Sequence, residues 1–316
     1  MTNLVRPMFP PCIDSTMLST FRSCPQKFFR TYMEHWKPEG DSVHLVAGAA
    51  FAKGLEVARR EFFESGNTAE NAVAAGLHAL ILKYGDFECP PESAKSLERM
   101  CGALEFYFEQ YPLQMGSCEP ILWGDGRRGI EFSFAQPLDF LHPVSGDPLI
   151  YTGRADMIAN FAGGIFIFDE KTTSQLGASW TRQWELRSQF TGYCWAARES
   201  GMPVNGAVVR GVSILKTKYD TLQHLTYRPD WEIERWLNQI NADLRRMVQC
   251  WEEGWWDYDL DHACAEYGGC SLQRICKSEN PQTWLPMQFE QRVWDPLGKA
   301  NLTIDEWQAQ WPECNK

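Results

Sequence analysis

An α/β fold, a mixed sheet flanked by helices, is what this 316-residue sequence predicts, and three observations point to it. Two apolar strands within residues 150 to 171 are separated by a glycine-containing turn, the pattern of a hairpin. A helical stretch over about residues 180 to 200 follows, and then the apolar strand GAVVRGVSIL; that strand–helix–strand succession puts a sheet under a helical cover. Ahead of the hairpin, residues 43 to 64, 67 to 84 and 92 to 111 carry apolar residues at helical spacing.

Taken in order, residues 15 to 36 open with hydroxyl caps and predict a short helix, a break at Cys24-Pro25 and a second helix started by that proline. KPEGD is a loop. The helix over 43 to 64 contains Leu45, Ala49, Ala52, Leu55 and Glu56 and ends near SGN. GDFECPP separates the next two helices, and in the second Leu97, Met100, Cys101, Leu104, Tyr107 and Phe108 make a buried stripe. GIEFSFAQPLDFL reads as a strand before the hairpin. After the strand GAVVRGVSIL, residues 231 to 253 predict a long helix rich in Trp and charge, then a YGGC segment and an irregular Pro- and Trp-rich tail. The expected division is a helical region over 1–120, a core over 121–230 and a C-terminal, Cys-rich region over 231–316.

Composition narrows the function classes. With 44% hydrophobic and 22% charged residues the chain has the make-up of a globular protein. MTNLVRPMFPPCIDS has no apolar leader segment and no run approaches membrane-spanning length, so a cytoplasmic protein without membrane association is expected. A net charge of −11 argues against a non-specific coat for duplex DNA, because phosphate affinity comes largely from Lys and Arg. It does not argue against an enzyme that acts on nucleic acid, where a metal supplies local positive charge. No GxxxxGK phosphate loop is present, which removes nucleotide-driven motors.

The informative feature is charge inside the hairpin. Asp156 lies within its first strand, and Asp169 and Lys171 end the second. A period of two puts Asp169 and Lys171 on one face, roughly 7 Å apart. A turn at Ala162-Gly163 sets Asp156 opposite Asp169; a turn at Gly163-Gly164 sets it opposite Lys171. Both registers bring two carboxylates and an ammonium together. Buried carboxylates need pairing or a metal, and two hard-oxygen donors suit Mg²⁺ or Mn²⁺. Such an ion polarises a phosphoryl oxygen and lowers the pKa of a bound water. The lysine then orients that water or meets charge developing on the phosphate.

GRAD at 153 to 156, DEKTT at 169 to 173 and QFTGY at 189 to 193 stand in the order found in RecB-like nucleases of the PD-(D/E)xK superfamily, which this chain resembles over roughly residues 15 to 280. The resemblance implies a restriction-endonuclease-like core. It makes Asp156 and Asp169 metal carboxylates and Lys171 the catalytic lysine. Gln189 and Tyr193 become the Gln-x-x-x-Tyr pair of the following helix, on one helical face at i,i+4. The family also has a histidine on an N-terminal helix with an acidic residue after it. Here GAAFAKGLE puts Ala52 at the histidine position and keeps Glu56 as a candidate metal ligand.

Eleven cysteines are many, and Cys264, Cys270 and Cys276 recur at equal spacing, one ligand short of a tetrahedral site. The resemblance supplies the fourth. Cas4-like and other RecB-like nucleases with an iron–sulfur cluster take one cysteine before the core and three after it, which here implies Cys24, Cys264, Cys270 and Cys276 around a 4Fe–4S cluster. Zn²⁺ is the chemical alternative, and Cys250 and His262 are substitute ligands. Arg22, Lys27 and Arg30, close to Cys24 in the chain, are candidates for contact with a DNA backbone.

The function these features predict is a Mg²⁺- or Mn²⁺-dependent DNA exonuclease acting on single strands or free ends in recombination, repair or DNA processing, encoded by bacterium or phage, with recombination or helicase proteins as partners. Two alternatives stay open. One is a catalytically weak or inactive DNA-binding accessory protein, favoured by Ala52. The other is a metal-stabilised interaction module, favoured by the acidic charge and fourteen tryptophans.

Overall fold

The computed structural model describes residues 7–123, 126–260, 262–265 and 269–297. In chain order its elements begin with β1 (Cys12–Asp14), α1 (Ser15–Ser23) and α2 (Pro25–Phe28), a π-helical turn over Phe29–Met33, and β2 (Trp36–Pro38). Three helices follow, α3 (Val43–Phe63), α4 (Ala69–Tyr84) and α5 (Leu97–Gln110). The strands β3 (Cys118–Pro120), β4 (Ile130–Leu141), β5 (Pro148–Phe161) and β6 (Gly164–Thr173) lead to α6 (Ala178–Arg182), α7 (Ser188–Glu199), β7 (Gly206–Ile214) and β8 (Tyr219–Tyr227). Last come α8 (Asp230–Glu253), α9 (Gln273–Cys276), α10 (Pro281–Gln288) and β9 (Phe289–Gln291). The α/β class and the mixed sheet flanked by helices are as the sequence predicts.

The chain divides into two compact units: Met1–Gly40 with Phe134–Gly153 and Glu234–Lys316, and Asp41–Ser133 with Arg154–Ile233. In the second, β5 and β6 form the antiparallel hairpin, β6 and β7 run parallel from Phe166↔Gly206 to Thr173↔Ser213, and β7 and β8 are antiparallel. β3 pairs antiparallel with the end of β5. The parallel step is made possible by α6 and α7, which fill the crossover between β6 and β7. Every residue of β7 is buried, the state its continuous apolar run implies.

Three capped helices cover one face of that sheet. Ser42, Thr68 and Ser96 each accept a backbone N–H of the first turn of α3, α4 and α5, satisfying donors that a helix start leaves open. α3 and α4 meet at Gly54 and Gly76: a Cβ on Gly76 would sit 2.6 Å from the Gly54 carbonyl oxygen, so only glycine allows this approach. Phe51, Leu55, Leu80, Leu104 and Tyr107 build the core there and extend to Val212 and Ile214 of β7.

In the other unit, β1 pairs parallel with the first half of β5, Cys12↔Ile150. Asp14 caps α1 through Thr16 and Met17. Pro25 opens α2 after a fully extended Cys24, so the break falls where the sequence predicts it. β2 and β9 form a short antiparallel ribbon, with Leu272, Ile275, Leu285 and Phe289 in a small core beside it. The expected tail is thus partly regular through Gln291, while residues 298–316 lie outside the described residues, as does the EYGG turn apart from Gly269. Among the described residues no helix is long and apolar enough to cross a membrane.

Candidate active site

The hairpin turn decides the site. Ala162 and Gly163 both have positive φ, 49° and 80°, the geometry of a two-residue turn with both central residues left-handed. The register that follows pairs Met157 with Phe168, which sets Asp156 opposite Asp169, the first of the two registers considered above. Asp169 is 2% exposed and its Oδ1 makes an ion pair with Lys171 Nζ. One carboxylate oxygen of Asp156 accepts the Glu170 backbone N–H at 2.9 Å. That bond ties the two strands together where their ladder ends.

Electrostatics follow from this crowding. Burial, and then the charges of Asp169 and Glu170, push the Asp156 carboxyl well above its ordinary value. Burial also raises Asp169, against the pull of Lys171. Burial pulls Lys171 down, but Asp169 and then Asp156 outweigh it and hold the ammonium charged. Two buried carboxyls, both raised first by burial, make a site short of positive charge.

α7 brings in the helical pair. Gln189 Nε2 reaches Asp169 Oδ2 at 3.5 Å and donates to the Tyr193 hydroxyl at 3.0 Å. Burial and the charge of Asp169 raise the Tyr193 phenol, so it stays protonated. The predicted i,i+4 pair therefore does converge on Asp169. Arg187, exposed at the N-terminus of α7, adds a cation that Asp169 feels.

α7 is itself held by Arg228, whose side chain is fully buried. Its guanidinium donates to the Thr191 hydroxyl at 2.9 Å, the Trp184 carbonyl at 2.9 Å and the Tyr227 carbonyl at 2.8 Å. The sequence expectation of one helix over 180 to 200 resolves into α6 and α7. The break at Arg187, in extended backbone, is what lets α7 start where Gln189 faces the carboxylates.

Residues that the sequence reading passed over lie on the opposite face of β6. Glu170 is buried, salt-bridged to Arg59 at 2.5 Å, and accepts the Tyr107 hydroxyl at 2.9 Å. Arg210, neighbour of Glu170 in the parallel register, donates to the same hydroxyl at 3.0 Å. Burial would raise Glu170, but Arg59 first and Arg210 after it bring it below its ordinary value. The signal was available: Tyr107 sits in the predicted buried stripe of α5, and a buried phenol requires a polar partner.

Other candidates stand apart from the two carboxylates or in the other unit. Glu56 pairs with Lys53 at 2.9 Å and Arg60 at 3.2 Å on its own helix. Burial pushes it up, but those two cations outweigh it and lower it. Ala52, at the expected histidine position, is half-buried on α3. Arg22 bonds Asp243 at 2.7 Å, Arg30 is 7% exposed and bonds Glu34 at 2.5 Å, and Lys27 is half-buried.

The cysteine set is drawn together. Cys270 N–H donates to the Cys264 carbonyl at 3.1 Å, folding that segment back on itself. Burial, then Cys270, Cys24 and Cys264, push the Cys276 thiol up to about 11. Cys264 is likewise raised by burial and then by Cys270 and Cys24. Cys264 and Cys276 thus both feel Cys24 and Cys270. Among the described residues, though, no group of three His, Cys, Asp or Glu is arranged to hold a metal ion.

Asp156 and Asp169 together have donor chemistry that suits one hard cation. Asp169 Oδ1 is buried and makes no hydrogen bond, its contact being the Lys171 ion pair, and a divalent ion would offset the burial that raises both acids.

A family model described as PD-(D/E)XK nuclease superfamily matches residues 15–277. No curated protein matches the chain. Among solved structures, a candidate exonuclease from Eubacterium rectale is similar at 12% identity and TM-score 0.48, covering 79% of this chain and 85% of that one. SSO0001 is similar at 14% identity and TM-score 0.27, covering 63% and 74%. The family model spans well over half of the sequence, from α1 through the carboxylate hairpin to the last of the three evenly spaced cysteines, and the chain belongs to the PD-(D/E)XK nuclease superfamily.

Proposed function

We propose that this protein is a Mg²⁺- or Mn²⁺-dependent deoxyribonuclease that hydrolyses phosphodiester bonds in single-stranded DNA or at DNA ends. The observation that carries the reading is the meeting of Asp156, Asp169 and Lys171 at one end of the β5–β6 hairpin. Asp156 and Asp169 would hold the divalent ion, which supplies Lewis-acid polarisation of the scissile phosphate and a water of lowered pKa. Lys171, kept charged by both carboxylates, aligns the attacking water and meets the negative charge that grows on the phosphate oxygens. Gln189 fixes the Asp169 rotamer and, with Tyr193, presents hydrogen-bonding groups to the backbone of the strand. Arg187 adds charge complementary to a phosphate.

A 4Fe–4S cluster on Cys24, Cys264, Cys270 and Cys276 belongs to the same reading, with Zn²⁺ as the chemical competitor. The influence of Cys24 and Cys270 on both Cys264 and Cys276 supports a shared site, and its role would be to brace the segments that carry them. Brown colour in freshly purified protein selects iron–sulfur over zinc. With Arg30 committed to Glu34 and Arg22 to Asp243, Lys27 is the better cation for a DNA backbone.

The test is digestion of end-labelled single- and double-stranded DNA with Mn²⁺ or with chelator. Wild type is expected to cut only with metal, and Asp169→Ala and Lys171→Ala to lose cleavage while remaining folded. Equal turnover by all three proteins would end the assignment. One observation favours a second reading, a DNA-binding accessory protein with little catalysis: Ala52 in place of the family's histidine. Under that reading DNA binds in the same assay and is not cut.

A further inference from the structure

We propose that a cavity of about 280 Å³ in the unit holding the chain's N-terminal residues is a binding site for one amino-bearing nucleobase, adenine, cytosine or guanine. Its walls include the rings of Tyr32, Trp36 and Trp294, and its polar groups include Glu34, His35 and Gln282. Aromatic walls with a few hydrogen-bonding groups are how unpaired bases are taken up, by stacking on the ring faces and pairing at the edge.

The polar groups argue for the edge. Glu34 gives one carboxylate oxygen to Arg30, while the other takes only a long contact, 3.5 Å, from Gln282. A carboxylate oxygen so placed accepts from an exocyclic amino group, and an amide beside it offers both a donor and an acceptor. His35 Nδ1 is buried and has no hydrogen-bond partner among the described residues. Burial, and then Lys37, lowers its ring to about 4, so the imidazole is neutral and offers one donor and one acceptor.

Two features argue that the site is built. His35 holds a positive φ of 63°, a conformation that costs energy for a side chain other than glycine and tends to mark binding sites. Trp294 is fixed by its indole N–H, which donates to Asp14 at 2.9 Å, the same carboxylate group that caps α1. The lining also excludes the other part of a nucleotide. Among the described residues that line the cavity there is no Lys or Arg, although Lys37 lies over the Trp294 ring at 5.0 Å and Arg30 is paired with Glu34, so the lining itself gives a phosphate no cationic partner.

A free nucleoside and a base on a DNA strand share this chemistry. The second source rests on the nuclease reading, and the first does not. Binding of deoxycytidine, deoxyadenosine and thymidine to the full chain by calorimetry, without divalent metal, tests the site independently of cleavage. The first two are expected to bind and thymidine, which lacks the amino group, to bind about tenfold more weakly. Glu34→Gln and Gln282→Leu should each erase that preference. Gln282 is exposed, so its replacement leaves the fold intact. No binding of any nucleoside, or equal binding of all three by every protein, overturns the proposal. An oligonucleotide ending in cytidine and its abasic counterpart separate the sources: tighter binding of the first assigns a strand base, and equal binding assigns the free nucleoside.

Discussion

On the proposed reading, Asp156 and Asp169 would link metal binding to protons. Both carboxyls are raised, each first by burial, so between the ordinary carboxylate range and their raised values the folded chain holds protons that the unfolded chain has lost. Stability without metal therefore falls as pH rises through that window. A divalent ion needs both groups ionised, so it must displace those protons and binds more tightly as pH rises. The expected outcome is a gain in Tm on adding Mn²⁺ that grows from about pH 5 to about pH 8, and proton release seen by calorimetry in buffers of different ionisation enthalpy. A gain that shrinks with pH would mean that the carboxylates are not the ligands.

Glu170 and Arg59 make a different case, because both are buried and each satisfies the other. Removing one leaves an unpaired charge in the core. Glu170→Ala is expected to cost about 3–5 kcal/mol of stability, read as a lower urea midpoint, with Arg59→Met close behind. Glu170 also donates the backbone N–H that Asp156 accepts. That N–H survives the substitution, so cleavage should fall only in step with the folded fraction.

At the scale of elements, α7 depends on one buried guanidinium. Arg228→Leu would strip hydrogen bonds from Thr191, the Trp184 carbonyl and the Tyr227 carbonyl. Each buried acceptor left unmet costs about 1–3 kcal/mol, so a loss of at least about 3 kcal/mol is expected, together with weaker cleavage as Gln189 drifts from Asp169. A variant with wild-type stability would show that α7 is held by packing alone. Elements were legible where burial left a pattern. β7 is apolar throughout because both its faces are covered, and α5 shows its stripe. β8 escaped notice because Tyr219–Tyr227 alternates polar with half-exposed residues and buries only Thr226 fully. α5 starts at Leu97 and not at 92 because Ser96 caps it, after the Pro90-Pro91 pair that no helix continues through. The hairpin register was open in the sequence because either glycine-containing pair can form the turn. The positive φ of Ala162 decided it, and with it which groups face each other. Asp156, Asp169 and Lys171 could be read from a period of two, whereas Glu170 and Arg59 could not, since they are brought together across more than a hundred residues of chain.

For the whole molecule the governing quantity is a net charge of −11. Any DNA strand approaches against that field, and lowering the salt lengthens the range of the repulsion at the same time as it strengthens local contacts. Arg30 and Arg59 are buried in ion pairs and Arg22 is paired with Asp243, which leaves Lys27, Arg187 and Lys171 as the groups argued above to face phosphate. Each phosphate neutralised on a single strand contributes about 0.7 to the slope of log affinity against log salt. Two or three such contacts, set against the general repulsion, give an expected slope of about −1 to −2 for single-stranded DNA. Ca²⁺, added as a divalent ion expected not to support cutting, should raise the affinity and leave the slope shallow, because it adds charge at one point and not along a track. Anisotropy of a labelled oligonucleotide between about 50 and 200 mM salt measures both. A slope steeper than about −4 would require an extended basic path, and an affinity indifferent to Ca²⁺ would separate strand binding from the carboxylate pair altogether.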